Sequence, residues 1–426
     1  MALPQVVGMF TFETTSSPST SRIQQWTVGV VHLVGLAILT VMIATSPHHL
    51  VYDERNSMPN VQQLQKYGVG VDFLRSMTHG AGPLYAIVYA GFEPLTGLTP
   101  PHVRLVNLLL LIPIIALLWL VLWREHAQHP FLAATSLISI PITWVIAGMA
   151  LTEIPAMIFA ATSLCCLSIG YSRQVNLPRR RRCNRWFLIG GIALGMASLG
   201  RQPHVVVAMV PFLIAARYKS GWAAAACYAA PALLLTAPVF VAWQGLVPPN
   251  MATHGGVAPL NGLLSLSYAG TLMFFVVPRI YLVRLRAGLI IGGGALAANL
   301  MFRFFDLRPM SSLAARLMST EMMTFYGIVC GALFVTVGLY FGWLILFNYL
   351  RTRESGAFSL VCTLSCMALI ATSAGVAVHF SSRHTMMSMP FFIALFGKEY
   401  SATWVNVALS TIGCCLGALI LGTYYV

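Results

Sequence analysis

The sequence predicts an all-α chain, a polytopic membrane protein of about 13 transmembrane helices with interfacial helices in its first outer loop. Three observations predict this class. Hydrophobic residues make up 58% of the 426 and charged residues only 8%, where a soluble domain carries about a quarter charged residues. The mean hydropathy is +0.78. The apolar residues also gather in long runs, near the roughly 20 needed to cross a bilayer as a helix, and the short alternating segments of a transmembrane barrel are absent.

Taken in order, residues 1–25 are Ser/Thr-rich with two charges, Glu13 and Arg22, and read as a loose cytoplasmic tail. The run over 26–45 is too long for a usual signal h-region and reads as a retained signal-anchor. Further spans are expected near 104–123, 131–149, 154–170, 187–200, 204–216, 222–243, 262–278, 287–301, 323–350, 357–377, 386–397 and 402–424. With the N-terminus inside, the cytoplasmic segments hold 16 of the 25 Lys and Arg, including Arg179, Arg180, Arg181, Arg182 and Arg185. The outer segments hold 7 of the 11 acids. That asymmetry follows the positive-inside rule and explains the net charge of +14 without nucleic acid. None of the nine cysteines falls in an outer segment, so they supply no outer disulfide or metal cage. No Asn-x-Ser/Thr sequon occurs, which suits a bacterial inner membrane better than the endoplasmic reticulum.

The first outer loop, 47–102, is by far the longest polar interval, and a loop of that length is usually functional or has helices of its own. Met58, Val61 and Leu64 recur at helical spacing between polar residues, which predicts a helix lying in the membrane interface. A second interfacial piece is expected from Pro83 through Tyr85, Val88 and Phe92. The second outer loop is very short. Thr152 there is suited to cap the next helix, with Glu153 and Pro155 in its first turn. Later outer segments carry mostly cations: Arg201, His204, Arg303, Arg308, Arg316, His379, Arg383 and His384, with His254 in a Pro/Gly-rich loop over 243–261. No internal repeat is found, so 1–426 reads as one membrane domain.

Asp53 and Glu54 lie just beyond the first span. A carboxylate at a membrane face is suited to proton abstraction or to holding a divalent ion such as Mg2+ or Mn2+, and cations on the same face are suited to a phosphate. Together they fit a donor whose leaving group is a lipid-linked phosphate, with the acid activating an acceptor hydroxyl and the cations neutralising the departing charge. One base and direct displacement would invert the anomeric centre. The same outer cavity also suits a secondary transporter or flippase of a lipid-linked or anionic substrate. That class favours paired repeats and Gly/Pro-broken helices, and Gly292-Gly293-Gly294 is the one feature it explains better. A non-catalytic subunit of a membrane assembly is a third reading. Neither His-Glu-x-x-His nor Gly-x-Ser-x-Gly occurs, which argues against an intramembrane protease.

Four places resemble the GT-C superfamily of polyprenyl-phosphate-sugar-dependent glycosyltransferases. They are Tyr52-Asp53-Glu54 after the first span; Thr78-His79-Gly80-Ala81-Gly82-Pro83-Leu84-Tyr85; Leu151-Thr152-Glu153-Ile154-Pro155-Ala156; and Ser382-Arg383-His384 followed by Met389-Pro390. The layout is similar to the protein mannosyltransferase and aminoarabinose transferase branches. Pro59, Gln65-Lys66-Tyr67 and Gly200-Arg201-Gln202 are similar to an alpha-1,2-glucosyltransferase family, although Pro203-His204 departs from its pattern. The resemblance implies Asp53 as catalytic base, with Glu54 in reserve, and Glu153 shaping the acceptor site or holding a metal. It implies Arg201, Arg383 and His384 on the donor phosphate, with His79 and Arg75 beside them. It also implies an active site on the extracytoplasmic face, a polyprenyl-phosphate-linked sugar donor in contact with membrane lipids, and a lipid-, glycan- or protein-linked acceptor.

Overall fold

The computed structural model describes residues 21–176, 180–254, 256–282, 285–305, 307, 319–352, 356–375 and 381–425, the side chains of 173–176, 180–184, 252–254 and 351–352 excepted. The expectations for residues 1–20, Arg308, Arg316 and His379, and for the His254 side chain, lie outside these residues. Every regular element among the described residues is a helix, as expected of an all-α chain.

The first helix, α1 (Arg22–Ala44), starts several residues before the expected span. The Ser21 hydroxyl accepts from the Gln24 amide at 3.3 Å, and the Gln24 side chain accepts from the Ser21 amide at 3.1 Å. This reciprocal cap satisfies donors that a helix start leaves orphaned. Among the described residues nine helices are long and apolar enough to cross a bilayer, or ten if a pair bent by 75° is one span. Three of the about 13 expected spans are not among these nine or ten, being shorter pieces among the described residues. The segment near 187–200 belongs to α9 (Arg180–Gly200), whose apolar part is short. The segment near 204–216 is a 3-10 turn, Gln202–Met209, leading into α10 (Val210–Tyr218). The one near 386–397 is α18 (Met389–Phe396), eight buried residues rising only about 12 Å.

The first outer loop folds into α2 (Asp53–Tyr67), α3 (Val71–Ser76) and α4 (Leu84–Thr96). The helical periodicity of Met58, Val61 and Leu64 is borne out, but that face does not meet lipid. All three are buried with Phe73, Tyr89 and Trp243 in a small core of their own. Burying the stripe on protein satisfies the same hydrophobic demand that an interface would. The second piece begins one residue after Pro83 and stops at Gly97, whose φ of +56° favours glycine.

The long helices run antiparallel: α5 (His102–Arg124) leaves the loop end, the bent pair α6 (Pro130–Thr135) and α7 (Pro141–Gly148) returns, α8 (Glu153–Asn176) leaves and α9 returns. Contacts across one end tie these termini together. Arg104 of α5 donates to Ser46 beyond α1 at 2.7 Å, and the Gly82 amide reaches the Gly200 carbonyl at 3.3 Å. The last helix, α19 (Trp404–Tyr425), arrives at this end too, where the Tyr425 hydroxyl donates to the Gly148 carbonyl. At the opposite end Lys398 pairs with Glu125 at 2.9 Å, and α9 begins there within the arginine run. The remaining long helices are α11 (Trp222–Trp243), α12 (Pro259–Val276), α14 (Leu285–Phe302), α15 (Thr320–Thr352) and α16 (Ala357–Thr372), with a single turn, α13 (Arg279–Leu282), between α12 and α14. Gly292, Gly293 and Gly294 lie inside α14 without breaking it.

Candidate active site

Asp53 opens α2 directly after Tyr52, which is held at φ 43° with its ring edge-on to Tyr424, centroids 4.8 Å apart. A left-handed backbone is uncommon for so large a side chain. Glu153 opens α8. Arg201 follows the end of α9, and Arg383 opens the short helix α17 (Arg383–Met386).

These four side chains, from four separate segments, form one chain of charges. Arg383 pairs with Asp53 through Nη2 and comes within 4.0 Å of Glu153 through Nη1, while Arg201 pairs with Glu153. The exposures are graded: 34% for Asp53 and 21% for Arg383, but only 1% for Glu153. Asp53 therefore stands nearest to solvent, at the mouth of this cluster, and Glu153 deepest, at its floor. Glu153 Oε2 and Arg201 Nε are buried with no hydrogen-bond partner, so the floor retains polar capacity that two guanidinium groups leave unfilled.

His79 and His384 flank the chain of charges. Burial lowers the pKa of His79 to about 4, aided by Arg201 and Arg383 and opposed by Asp53 and Glu153. Burial and then Arg201 lower His384 to about 4 in the same way. Both imidazoles are therefore neutral at neutral pH, whereas His384 was expected among the cations of the outer segments. His79 Nδ1 accepts from the Ala81 amide at 3.1 Å, which puts its proton on Nε2 as a donor. His384 Nδ1 lies 3.0 Å from the Ser381 carbonyl. Burial opposes the charge on Arg383, but Glu153 and Asp53 outweigh it and raise its pKa.

Two expected site residues lie elsewhere. Arg75 is exposed on α3 and donates to the Ala242 carbonyl at 3.3 Å. Glu54 is fully buried and points away from Asp53 into Arg104, with Nε to Oε1 at 2.9 Å and Nη2 to Oε2 at 2.7 Å. Arg104 and Asn107, both at the start of α5, were not singled out in the sequence. Asn107 Nδ2 donates toward the carbonyls of Ile146, Met149 and Leu151 at 2.8–2.9 Å, which shapes the loop ahead of Glu153. A polar residue one turn inside an apolar span was the available signal.

Glycines set the close approach of the two motif loops. A Cβ on Gly82 would lie 2.1 Å from the Leu199 carbonyl oxygen, and Gln202 donates to the Gly80 carbonyl at 2.8 Å. Only a residue without a side chain lets 78–85 lie against Gly200-Arg201-Gln202. As a cation site the donor set fits poorly. Both carboxylates are already taken by arginines, and among the described residues no group of three or more His, Cys, Asp or Glu side chains forms.

Residues 81–225, about a third of the chain, match the family model of dolichyl-phosphate-mannose-protein mannosyltransferase. This bears out the resemblance read from the motifs. Gly82-Pro83-Leu84-Tyr85, Leu151–Ala156 and Gly200-Arg201-Gln202 lie inside the matched segment, and Asp53 and Arg383 outside it. No curated protein matches the sequence. Among solved structures, ArnT from Cupriavidus metallidurans in the apo state aligns over 89% of this chain and 78% of its own, at 17% identity and a TM-score of 0.43. The same protein bound to undecaprenyl phosphate aligns over 88% and 76%, at 16% identity and 0.43. An oligosaccharyltransferase from Archaeoglobus fulgidus, tethered with an acceptor peptide, aligns over 90% and 55%, at 12% identity and 0.37.

Proposed function

We propose that the chain is a membrane glycosyltransferase that moves a sugar from a polyprenyl-phosphate carrier to an acceptor hydroxyl on the extracytoplasmic face, with inversion. The observation that carries this reading is the Asp53–Arg383–Glu153–Arg201 chain, which joins the acidic and basic motifs at one end of the helices. The family match over 81–225 supports the chemistry.

In this reading the donor phosphate competes for Arg383 and Arg201, since a guanidinium binds phosphate through charge-assisted bonds as well as it binds a carboxylate. Turning Arg383 toward the phosphate uncovers Asp53, which takes the proton of the acceptor hydroxyl. The acceptor oxygen bonds to the anomeric carbon as the bond from that carbon to the phosphate oxygen breaks. The leaving polyprenyl phosphate keeps the electron pair beside the two arginines, where the stabilisation is preorganised. Glu153 holds Arg201 and Arg383 in place from below. His79 adds a neutral Nε2–H donor, and no step needs a metal held by these residues.

The test is transfer by the purified full-length chain from a panel of radiolabelled polyprenyl-phosphate sugars, with the anomeric configuration of the product read by NMR. The reading expects one donor to be turned over with inverted configuration. A retained configuration would exclude direct displacement. Vesicle uptake of a lipid-linked or anionic substrate, with no transfer from any donor, would favour the transporter instead.

A further inference from the structure

We infer that Glu54 and Arg104 are positioning residues that set the two acids of the site, Asp53 and Glu153, at a fixed separation. The inference rests on the transferase reading for its effect on turnover. The Glu54 carboxylate holds two backbone segments at once. Its Oε2 accepts from the Val51 amide at 2.9 Å, and its Oε1 accepts from the Ala150 amide at 2.7 Å. Val51 lies two residues before Asp53, and Ala150 three residues before Glu153.

Arg104 completes the tie. It binds both Glu54 oxygens, and its remaining donors reach Ser46 Oγ at 2.7 Å, the Pro47 carbonyl at 2.8 Å and the His49 carbonyl at 2.9 Å. One guanidinium thus fixes the chain on its way from α1 to Asp53. The Tyr425 ring covers it at 4.9 Å, and both members of the pair are fully buried. On the other side the Tyr85 hydroxyl donates to the Ala150 carbonyl at 3.0 Å, so both backbone polar groups of Ala150 are held. A buried ion pair is a weak source of stability, and its better-attested use is to specify one arrangement. Here the arrangement specified is the register of the first outer loop against the second.

The test compares the wild type with Glu54→Gln and Arg104→Lys, full-length and in the same detergent. Measured quantities are kcat and donor KM, affinity for polyprenyl phosphate, thermal midpoint, and amide exchange over 149–153. Glu54→Gln keeps the shape but removes the carboxylate charge and puts a donor in place of one of the two oxygens that accept from Arg104, Val51 and Ala150. Arg104→Lys keeps the charge but loses the fork. Both are expected to lower kcat at least tenfold, to change polyprenyl phosphate affinity less than threefold, and to raise exchange at Ala150. Tyr228→Phe, which removes a buried bond to Ser163 (2.8 Å) away from the site, calibrates simple destabilisation and should leave kcat unchanged. A folded Glu54→Gln with wild-type kcat, or a kcat loss matched by Tyr228→Phe at equal thermal loss, would overturn the inference. The exchange measurement needs no turnover. A wild type inert toward every donor would sink the transferase reading, while unchanged exchange at Ala150 would sink the tie itself.

Discussion

Arg383 reaches two carboxylates at once, Asp53 at the mouth and Glu153 at the floor. Arg383→Gln is therefore expected to weaken polyprenyl phosphate binding by about ten- to a hundredfold, the worth of one charge-assisted hydrogen bond. Equilibrium binding in detergent checks it, and unaltered affinity would contradict the role. The histidines make a second prediction. With pKa values lowered to about 4, His79 and His384 stay neutral above about pH 5, so from pH 5.5 to 8 phosphate affinity should only rise, as the ligand's own second ionisation near pH 6 adds charge. Had they kept the ordinary value near 6.5 and bound as cations, affinity would fall as pH rose through that value. Binding titrations across that range distinguish the two. The resemblance of their motifs made Asp53, Glu153, Arg201 and Arg383 legible as neighbours, and the structure brings the four together. The division of labour between Asp53 and Glu54 was not legible. Consecutive residues in a helix point about 100° apart, and what turns Glu54 inward is Arg104, fifty positions later. Nor does sequence show that burial strips the proton from the two histidines.

At the scale of elements, α2 teaches a related lesson. Its apolar period was readable, but a period says only that a face is buried, not against what. The covering comes from Phe73, Tyr89 and Trp243, spread over residues 73–243. Val61→Ala should therefore cost about 1–3 kcal/mol, as a core truncation does, where a lipid-facing valine would cost little; thermal unfolding with a lipid-facing control checks this. The loop over 78–85 depends on a different constraint. A methyl group at Gly82 would collide with backbone at Leu199, and backbone cannot turn aside as a flexible side chain can. Gly82→Ala is expected to separate this loop from Arg201 and lower transfer at least tenfold, even in preparations that remain folded.

The whole molecule separates chemistry from anchoring. The motif residues meet at one end of the helices, and Glu125, Lys398 and the start of α9 lie at the other. The class was legible because composition is additive over the chain. Hydropathy leaves the number of spans open, because 187–216 and 386–397 are apolar for burial in protein as much as for lipid, and it does not distinguish the two surroundings. If the site end faces outward, an epitope inserted after Val69, which is 81% exposed between α2 and α3, should be stained on intact cells, and one beside Lys398 only after permeabilisation. The reverse pattern would place the site in the cytoplasm.

The central claim, that Asp53 takes the acceptor proton, is tested most directly by single-turnover transfer with Asp53→Asn beside polyprenyl phosphate binding by the same preparation. The account predicts a fall in the transfer rate of about 10²–10⁴-fold, the usual contribution of a positioned general base, with phosphate binding retained or tightened as Arg383 loses its competing partner. Transfer at the wild-type rate by a folded Asp53→Asn chain would contradict it.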